Sequence, residues 1–245
     1  MNIFFELHHD LPREAPGDNL STDKALALLT DLPPHPLFLD LGCGPGEQTL
    51  TLAKSTNGHI IAVDTHQPFL EQLRRNAQEA AVPDKIFLIK TSMFTLPFDE
   101  QTFDVIWSEG AIYIVGFTEG LHTWRRFLKP RGYVVVSELA WLRSHPPTEA
   151  LIFWEVAYPG MQTREENLEI IRGAGYHNVG HFVLPADNWW KNYYIPLEAR
   201  IANLREKYQG NVEANQQLDE AQQEIDLYRQ YADWYGYVFY VMQMA

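Results

Sequence analysis

Short apolar runs alternate with helical patterns along the first part of the chain. The runs span residues 37–41, 59–63, 86–89, 103–107 and 133–137, and they are rich in Val, Ile, Leu and Phe. Strands that are covered on both faces have this composition, because neither face needs polar side chains. We therefore predict five parallel strands.

The segments between these runs carry apolar residues at helical spacing. One stripe, which follows Pro68, consists of Phe69, Leu73, Ala77 and Ala80, and a second consists of Leu121, Trp124 and Leu128. We predict that the second helix ends at Pro130, since proline cannot continue a helix. Strand and helix repeated in this order indicate a doubly wound α/β sheet with helices on both faces.

The last third of the chain has a different pattern. Thr163 and Glu166 have capping-box spacing, which predicts a helix that ends at Gly175 before a sixth strand over residues 179–184. A helical insertion over residues 188–235 follows, with two amphipathic helices broken near Gly210. Residues 237–244 are almost wholly apolar and must form a covered strand, because such an edge would aggregate if exposed.

These elements predict a Rossmann-like, seven-stranded mixed sheet whose last strand lies antiparallel beside the fifth. We assign residues 1–245 to a single domain with three parts. Residues 1–32 form a cap segment with a helix capped by Ser21 or Thr22, residues 33–142 a cofactor-binding core, and residues 143–245 a C-terminal part with the insertion and the final strand.

Charge and cysteine content narrow the functional classes. The chain has 19 Lys and Arg against 32 Asp and Glu, a net charge of −13 that disfavours nucleic acid and anionic membranes as partners. Its single cysteine, Cys43, cannot form an internal disulfide or a thiolate cluster. The N-terminus lacks the pattern of a secretory leader, so we expect a cytoplasmic protein. No metal-ligand spacing occurs, and we expect no metal.

Residues 39–49, LDLGCGPGEQT, are the sharpest chemical signal. A strand runs into Gly42, Gly44 and Gly46 and then opens a helix, so a ligand can approach bare backbone at a helix N-terminus. Asp64 ends the second strand, where a carboxylate can accept hydrogen bonds from ribose hydroxyls. A simple tight turn and a strand-end cap are the structural alternatives. Together the two features favour nucleoside binding.

The spacing of the glycines indicates which class of nucleoside cofactor the loop can bind. A dinucleotide fingerprint is G-x-G-x-x-G, whereas this loop is G-x-G-x-G with Pro45 inside it. With these residues the chain resembles the class I S-adenosylmethionine-dependent methyltransferases, of the small-molecule type with a UbiE-like core. The resemblance is clear over residues 37–142 and looser elsewhere.

The resemblance implies S-adenosylmethionine as cofactor and S-adenosylhomocysteine as product. The glycine loop, with Thr49 in the helix behind it, would lie against the methionine part. The remaining cofactor contacts implied are Asp64 at the ribose, Thr65 and His66 beside the adenosine, Ser92 and Met93 at the adenine, and Arg13 at the carboxylate. Ser92 stands where the family carries an acidic residue ahead of Leu-Pro-Phe.

The end of the fourth strand resembles the reacting edge of that site. Glu109, which is also expected at the cofactor, and Tyr113 are candidate catalytic groups, together with His9 and its neighbour His8. A helix N-terminal charge is the structural alternative for Glu109, and a core position for Tyr113.

The expected contacts of a small-molecule acceptor are Tyr113, at the end of the fourth strand, and Tyr158 and Trp189, which each offer an apolar body with one polar tip. Packing of the insertion onto the sheet is the structural alternative for Tyr158 and Trp189. The chemistry implied is in-line methyl transfer. A non-catalytic binder of the same cofactor and a nicotinamide-dependent oxidoreductase are the alternatives. The aromatic start of the insertion could roof the pocket or form a homodimer face.

Overall fold

The computed structural model describes residues 3–9 and 11–245. These residues contain one mixed sheet with the order β3-β2-β1-β4-β5-β8-β7, and the short β6 pairs with β5. The strands are β1 (Leu37–Leu41), β2 (His59–Asp64), β3 (Ile86–Lys90), β4 (Phe103–Glu109), β5 (Leu128–Trp141), β6 (Gln162–Thr163), β7 (Tyr176–Val183) and β8 (Tyr235–Met244). The strands from β1 to β5 are parallel, and β8 is antiparallel to both β5 and β7. The predicted Rossmann-like fold is confirmed.

Helices cover both faces of this sheet. They are α1 (Ile3–Leu7), α2 (Asn19–Leu26), α3 (Glu47–Ser55), α4 (Gln67–Glu79), α5 (Phe117–Trp124), α6 (Thr148–Ala157), α7 (Arg164–Gly173), α8 (Ala186–Trp189), α9 (Ile195–Lys207) and α10 (Val212–Tyr231). A π-helical segment, Trp190–Tyr194, joins α8 to α9. We call Ala186–Tyr231 the insert.

The sheet separates two apolar cores. One core joins Phe38 and Val105 to Leu73 of α4 and to the insert, including Trp189. The other packs α5 and α7 against the opposite face, with Leu121 buried in it. Because the insert shares a core with α4 and β1, it lies on the face that borders the glycine loop.

The segment between α5 and β5 differs from its prediction. The helix ends at Trp124, a 3₁₀ turn follows, and Leu128 begins β5 opposite Phe103 instead of closing a helical stripe. A buried leucine suits a helix and a strand equally, so spacing alone could not separate them. Pro130 lies inside β5, where the register shifts between Phe103 and Val105 and no ladder hydrogen bond from proline is needed.

The cap of α2 also differs. Asp18, not Ser21 or Thr22, is the N-cap residue, and its carboxylate accepts a hydrogen bond from the Ser21 backbone N–H at 3.0 Å. The capping box of Thr163 and Glu166 is confirmed, and so is the break between α9 and α10 at Gly210.

The edge of the sheet carries a further correction. The strand predicted over residues 179–184 is β7 and begins earlier, at Tyr176, because an edge strand accepts the polar residues that open it. A bulge follows Asn178. Tyr235, predicted as the end of the insertion, begins β8. The structure adds α6 and β6, which the pattern did not predict. In the described part of the chain, no helix is both long enough and apolar enough to cross a bilayer.

Candidate functional site

A cavity of about 240 Å³ lies at the carboxyl ends of β1, β2 and β4. We call it the glycine-loop cavity. The glycine loop, the turn after β2, the end of β4 and the N-terminal segment form its walls. Residues that line it include Phe5, Arg13, Glu14, Gly42, Gly44, Asp64, Thr65, His66, Glu109, Gly110 and Tyr113.

The three glycines of the loop have different tasks. All three have positive φ, at +72° for Gly42, +54° for Gly44 and +90° for Gly46. A Cβ on Gly42 would lie 2.5 Å from the Ala111 Cβ, and one on Gly46 would lie 2.2 Å from a Leu73 methyl, so both are needed for packing. Gly44 lines the cavity, and the atoms nearest to its missing Cβ belong to Glu14. Gly42 also lines the cavity, whereas Gly46 does not, so a ligand can approach the loop backbone at Gly42 and Gly44.

Asp64 holds the glycine loop to the turn after β2. Its Oδ2 accepts a hydrogen bond from the Gly44 N–H at 3.0 Å, and its Oδ1 accepts one from the His66 N–H at 2.8 Å. The ring of Phe5 stacks on His66 with centroids 3.9 Å apart. A carboxylate offers about four acceptor positions, so Asp64 keeps capacity for ligand hydroxyls.

Asp40 lies beneath the loop and was not predicted as a site residue. It is fully buried, and its Oδ2 accepts hydrogen bonds from Thr49 Oγ1 at 2.5 Å and Gln48 Nε2 at 3.4 Å. Its Oδ1 has no hydrogen-bond partner among the described residues. Burial raises the pKa of Asp40 to about 7. The Thr49 hydroxyl therefore serves this carboxyl group, and Thr49 does not line the cavity.

Arg13 and Glu109 form a buried ion pair at the cavity wall. The guanidinium Nη1 lies 3.1 Å from Glu109 Oε2, and the two side chains are 7% and 5% exposed. Glu109 Oε1 also accepts hydrogen bonds from Thr22 Oγ1 at 2.7 Å and Trp107 Nε1 at 2.9 Å. Arg13 Nη2 donates to Asn19 Oδ1 at 2.7 Å. Both oxygens of Glu109 are thus engaged by the protein.

A second cavity of about 220 Å³ adjoins the first, and we call it the aromatic cavity. It is lined by Glu14, Ala15, Pro16, Gly110, Tyr113, Leu139, Trp154, Ala157, Tyr158, Trp189, Tyr193, Glu224 and Tyr237. The structure brings together here the three residues predicted to contact an acceptor. The rings of Tyr113 and Tyr158 meet edge to face at 5.9 Å, and Trp189 stacks on Tyr237 at 5.2 Å.

Carboxyl groups stand among these rings, and the sequence analysis missed all of them. Both oxygens of Glu14 are buried without a hydrogen-bond partner among the described residues, and burial with the nearby Asp64 charge raises the pKa of Glu14 to about 9. Glu138 is 2% exposed and accepts a short hydrogen bond from the Tyr158 hydroxyl, and burial raises its pKa to about 8.

Glu224 supplies a third carboxyl group. The Tyr194 hydroxyl donates to its Oε1 at 2.9 Å, and burial raises its pKa as well. An isolated glutamate on a helix or in a loop carries no sequence signal of its own. Only the fold shows that these acids converge.

The two histidines near the N-terminus have different surroundings. His9 is exposed and does not line either cavity, and its backbone carbonyl accepts a hydrogen bond from Arg200 at 2.6 Å. His8 is buried, its Nδ1 lies 2.8 Å from the Phe4 carbonyl and its Nε2 lies 3.3 Å from the Tyr193 hydroxyl. Burial lowers the pKa of His8.

The predicted adenine contacts lie outside the lining of the glycine-loop cavity. Ser92 Oγ accepts a hydrogen bond from the Phe94 N–H at 3.2 Å, in its own turn. Met93 packs behind the loop, with its Cε 3.3 Å from the position a Cβ would take on Gly42. Thr65 and His66, in contrast, do line the cavity. They are the two residues expected beside the adenosine.

The N-terminal segment lines both cavities and contacts the insert, which lines the aromatic cavity. Glu6 of α1 forms an ion pair with Lys207 of α9 and accepts a hydrogen bond from the Tyr208 hydroxyl. Asn192 of the insert donates to the Gly17 carbonyl at 2.8 Å. The wall of the aromatic cavity is therefore assembled from opposite ends of the chain. Within residues 3–9 and 11–245, no group of three or more His, Cys, Asp or Glu side chains is placed to hold a metal ion.

Comparison with known proteins agrees with the geometry of this edge. Residues 38–132 match a family described as a methyltransferase domain. Over 114 residues, 45% of this chain, the sequence is 32% identical to an uncharacterized 37.1 kDa protein in transposon TN4556 of Streptomyces fradiae. Over 104 residues, 42% of the chain, it is 34% identical to the demethylmenaquinone methyltransferase of Clavibacter sepedonicus. The chain spans 32% and 41% of the lengths of these two relatives.

A solved structure matches nearly the whole chain. It is a SAM-dependent methyltransferase from Geobacter sulfurreducens in complex with S-adenosyl-L-homocysteine, with a TM-score of 0.85. The match covers 99% of this chain and 98% of the other, at 21% sequence identity. At that identity the likeness shows the fold, and it extends through the insert and the N-terminal segment.

Proposed function

From residues 38–132, which belong to the methyltransferase-domain family, and from the class I S-adenosylmethionine-dependent methyltransferase fold of the chain, we propose that this protein methylates a small-molecule acceptor. The observation that carries the proposal is the shared wall of the two cavities. Glu14, Gly110 and Tyr113 line both the glycine-loop cavity and the aromatic cavity. A nucleoside site and an acceptor site that meet in this way suit direct group transfer.

The residues of the glycine-loop cavity fit S-adenosylmethionine. When bound, this cofactor supplies a methyl group on a positively charged sulfur. Gly42 and Gly44, which line the cavity, would face its methionine part, with Gly46 shaping the loop behind them, and the free acceptor positions of Asp64 would take the ribose hydroxyls. Arg13 would bind the cofactor carboxylate.

The adenine end of the cofactor would lie beside the turn that follows β2. We place Thr65 and His66 beside the adenosine, since both line the cavity. Ser92 and Met93 stay proposed adenine contacts on the strength of the resemblance alone. Thr49 would not contact the cofactor; its hydroxyl would hold the Asp40 carboxyl group beneath the loop.

The protein's part in the reaction is to align the acceptor with the methyl group and to keep water away. Collinear positioning at near-contact distance supplies most of the rate in such transfers, and no covalent enzyme intermediate is needed. Tyr113, Tyr158 and Trp189 would hold the acceptor. We give Glu109 a positioning role through Arg13, because both of its oxygens are engaged. No step is assigned to His9.

The setting of the protein is part of the same proposal. We propose that the protein acts in the cytoplasm and forms a homodimer through the insert. Nucleic acid and membranes have no part in the proposed reaction, since the net charge is −13.

Calorimetric titration with S-adenosylhomocysteine, NAD and NADP tests the cofactor. Binding of S-adenosylhomocysteine alone is the expected result, and binding of a nicotinamide nucleotide in its place would overturn the proposal. Release of S-adenosylhomocysteine during incubation with a metabolite panel then tests turnover. Tight binding with no turnover on any acceptor would leave a non-catalytic cofactor binder.

A further inference from the structure

We propose that the methyl acceptor is an amine with an apolar body, its nitrogen held in the aromatic cavity beside Glu14 and Glu224. This inference rests on the proposed methyl transfer, because it names the acceptor of that same site. It rests on four features of the described residues: the acids in the lining, the rings around them, the groove beyond, and the position of Glu224 outside the lining of the glycine-loop cavity.

The charge of the aromatic cavity is one-sided. Among the described residues, its lining contains Glu14 and Glu224 but no Lys, Arg or His. Glu138 stands behind it and receives the hydrogen bond of Tyr158. An acceptor with a carboxylate or phosphate near its reacting atom would meet these acids without a cation to pair with, which is costly in a buried site. A cation would instead neutralise carboxylates that have no basic partner in this lining.

The rings around these acids suit the same kind of ligand. Tyr113, Tyr158, Trp189, Tyr193 and Tyr237 line the cavity. The faces of tyrosine and tryptophan rings attract cations, and they do so most strongly where water is excluded. A nitrogen that gains positive charge as it is methylated would therefore be stabilised by the rings and carboxylates together.

The sulfur of the cofactor does not account for all of the acids. Glu14 lines the glycine-loop cavity too and would face a positively charged sulfur there. Glu224 lines the aromatic cavity without lining the glycine-loop cavity, and it belongs to α10 of the insert. Its carboxyl group is thus available for the acceptor.

A larger groove of about 770 Å³ continues from the aromatic cavity past Glu14, Tyr113 and Glu224. Its walls are largely apolar and come from α1, α6 and the insert, with Leu7, Phe153 and Leu197 among the residues that line them. Gln217 and Glu220 also line it. A groove of this size and composition fits an apolar body attached to the amine.

The transfer would balance as follows for an amine that enters as an ammonium ion. Glu14 releases its own proton to solvent as the cation binds, and its carboxylate then accepts one proton from the ammonium ion, which leaves a lone pair on nitrogen. That lone pair forms the new nitrogen–carbon bond while the electron pair of the sulfur–carbon bond returns to sulfur. The release to solvent is needed because burial raises the pKa of Glu14 to about 9, so the ligand-free group is protonated at neutral pH, and the charge of the bound ammonium ion favours its ionised form.

A matched pair of probes tests the preference for positive charge. With S-adenosylhomocysteine saturating, binding of (2-hydroxyethyl)trimethylammonium is compared by calorimetry with binding of 3,3-dimethylbutan-1-ol, its uncharged isostere. The cation should bind at least about tenfold more tightly. Equal affinities would overturn the proposal.

Chain length tests the groove. Octyltrimethylammonium should bind at least about tenfold more tightly than butyltrimethylammonium, because the added methylenes would be buried. If the two bind equally, the groove does not bind the apolar part of the acceptor, and that part of the proposal is wrong.

Variants assign the charge to its residues. Glu224→Gln should cut the preference for the cation severalfold and leave S-adenosylhomocysteine affinity unchanged. Glu213→Gln is the matched control, since Glu213 is an exposed residue of the same helix. A Glu224→Gln variant that keeps the full preference would remove this residue from the proposal, and a loss in both variants would show a non-specific charge effect.

Turnover separates this inference from the function beneath it. N,N-dimethyloctylamine should release S-adenosylhomocysteine from the enzyme, and octan-1-ol should not. If S-adenosylhomocysteine binds but the amine is neither preferred nor methylated, the acceptor class is wrong and methyl transfer stands. If S-adenosylhomocysteine does not bind, the proposed function itself fails.

Discussion

The two adjoining cavities are built in opposite ways. Backbone and short turns shape the glycine-loop cavity, where Gly44 and Asp64 stand within one strand–helix–strand unit. Side chains shape the aromatic cavity, which is lined by Glu14 of the N-terminal segment and Glu224 of the insert. The loop and turn at the floor of the first cavity are set by local geometry, whereas the second cavity depends on long-range packing. This division lets one fold keep a fixed cofactor and change its acceptor.

The contrast extends to charge. Glu109 and Asp64, at the glycine-loop wall, both have partners, as the Arg13–Glu109 pair and the backbone bonds of Asp64 show. Glu14, at the junction of the cavities, has none among the described residues. A fully satisfied group positions its neighbours, whereas an unsatisfied buried acid stores a preference for a ligand that can pair with it.

The strongest test of the backbone-built cavity is Gly44→Val. We expect loss of detectable S-adenosylhomocysteine binding, because valine disfavours φ of +54° and its side chain would enter the cavity. Calorimetry measures the effect. Gly210→Val is the control, since Gly210 also has positive φ but has no atom within 4 Å of its missing Cβ and lies between α9 and α10. Normal S-adenosylhomocysteine binding by the Gly44 variant would show that the loop is only a tight turn and does not contact the ligand.

Breaking the buried ion pair should give the next largest effect. Glu109→Ala leaves the Arg13 charge buried without its carboxylate, and we expect a loss of about 3–5 kcal/mol in the free energy of urea unfolding. Asp31→Ala, which breaks the exposed pair with Arg131, should cost less than about 1 kcal/mol.

A paired replacement separates folding from binding at the same wall. Arg13→Met combined with Glu109→Leu should recover much of the stability without recovering cofactor affinity. Recovery of both would exclude Arg13 as the contact for the cofactor carboxylate.

Asp64→Ala probes the acid that joins the loop to the ribose position. Losing charge-assisted hydrogen bonds of about 1.5–3 kcal/mol should weaken S-adenosylhomocysteine binding by at least about tenfold. Equilibrium titration gives this number, and a thermal melt reports the loss of the bonds to the Gly44 and His66 N–H groups. Asp99→Ala serves as the control at an exposed position. An unchanged affinity in the folded variant would exclude ribose recognition by Asp64.

The pH dependence of stability tests the buried acids beneath the loop and around the aromatic cavity. Burial raises the pKa of Asp40 to about 7, of Glu138 to about 8 and of Glu14 to about 9. The folded state therefore holds protons that the unfolded state releases, so the ligand-free protein should lose stability as pH rises from about 5 to about 9. The slope is at most about 1.4 kcal/mol per pH unit for each carboxyl group.

Glu138→Gln isolates one of these groups. The glutamine can still accept the Tyr158 hydrogen bond but does not titrate, so its melting temperature should exceed that of the parent by about 2–4 °C near pH 8 and match it near pH 5. Glu155→Gln, at an exposed position of α6, should change nothing. A parallel pH profile for the Glu138 variant would contradict the assignment.

How far the sequence predicted the structure depended on the range of the interactions involved. The strand β8 was predictable because an apolar run needs cover on both sides, and the Thr163 cap because it lies within one turn. The start of β5 was not, because Leu128 can be buried equally well in a helix or a strand. The first residues of β7 were not predicted as strand because several of them are polar, and polar residues are acceptable there only since β7 lies at the edge of the sheet.

The sequence by itself determined the fold and the side of the sheet on which a nucleoside can bind, because the glycine loop and Asp64 are set by turn geometry that a few consecutive residues control. Tertiary structure alone decided that Glu109 is tied to Arg13 and that Glu14, Glu138 and Glu224 converge around the aromatic rings. Their pKa values and partners depend on burial and on neighbours that are remote in the chain. A single sequence does not record which remote residues become neighbours.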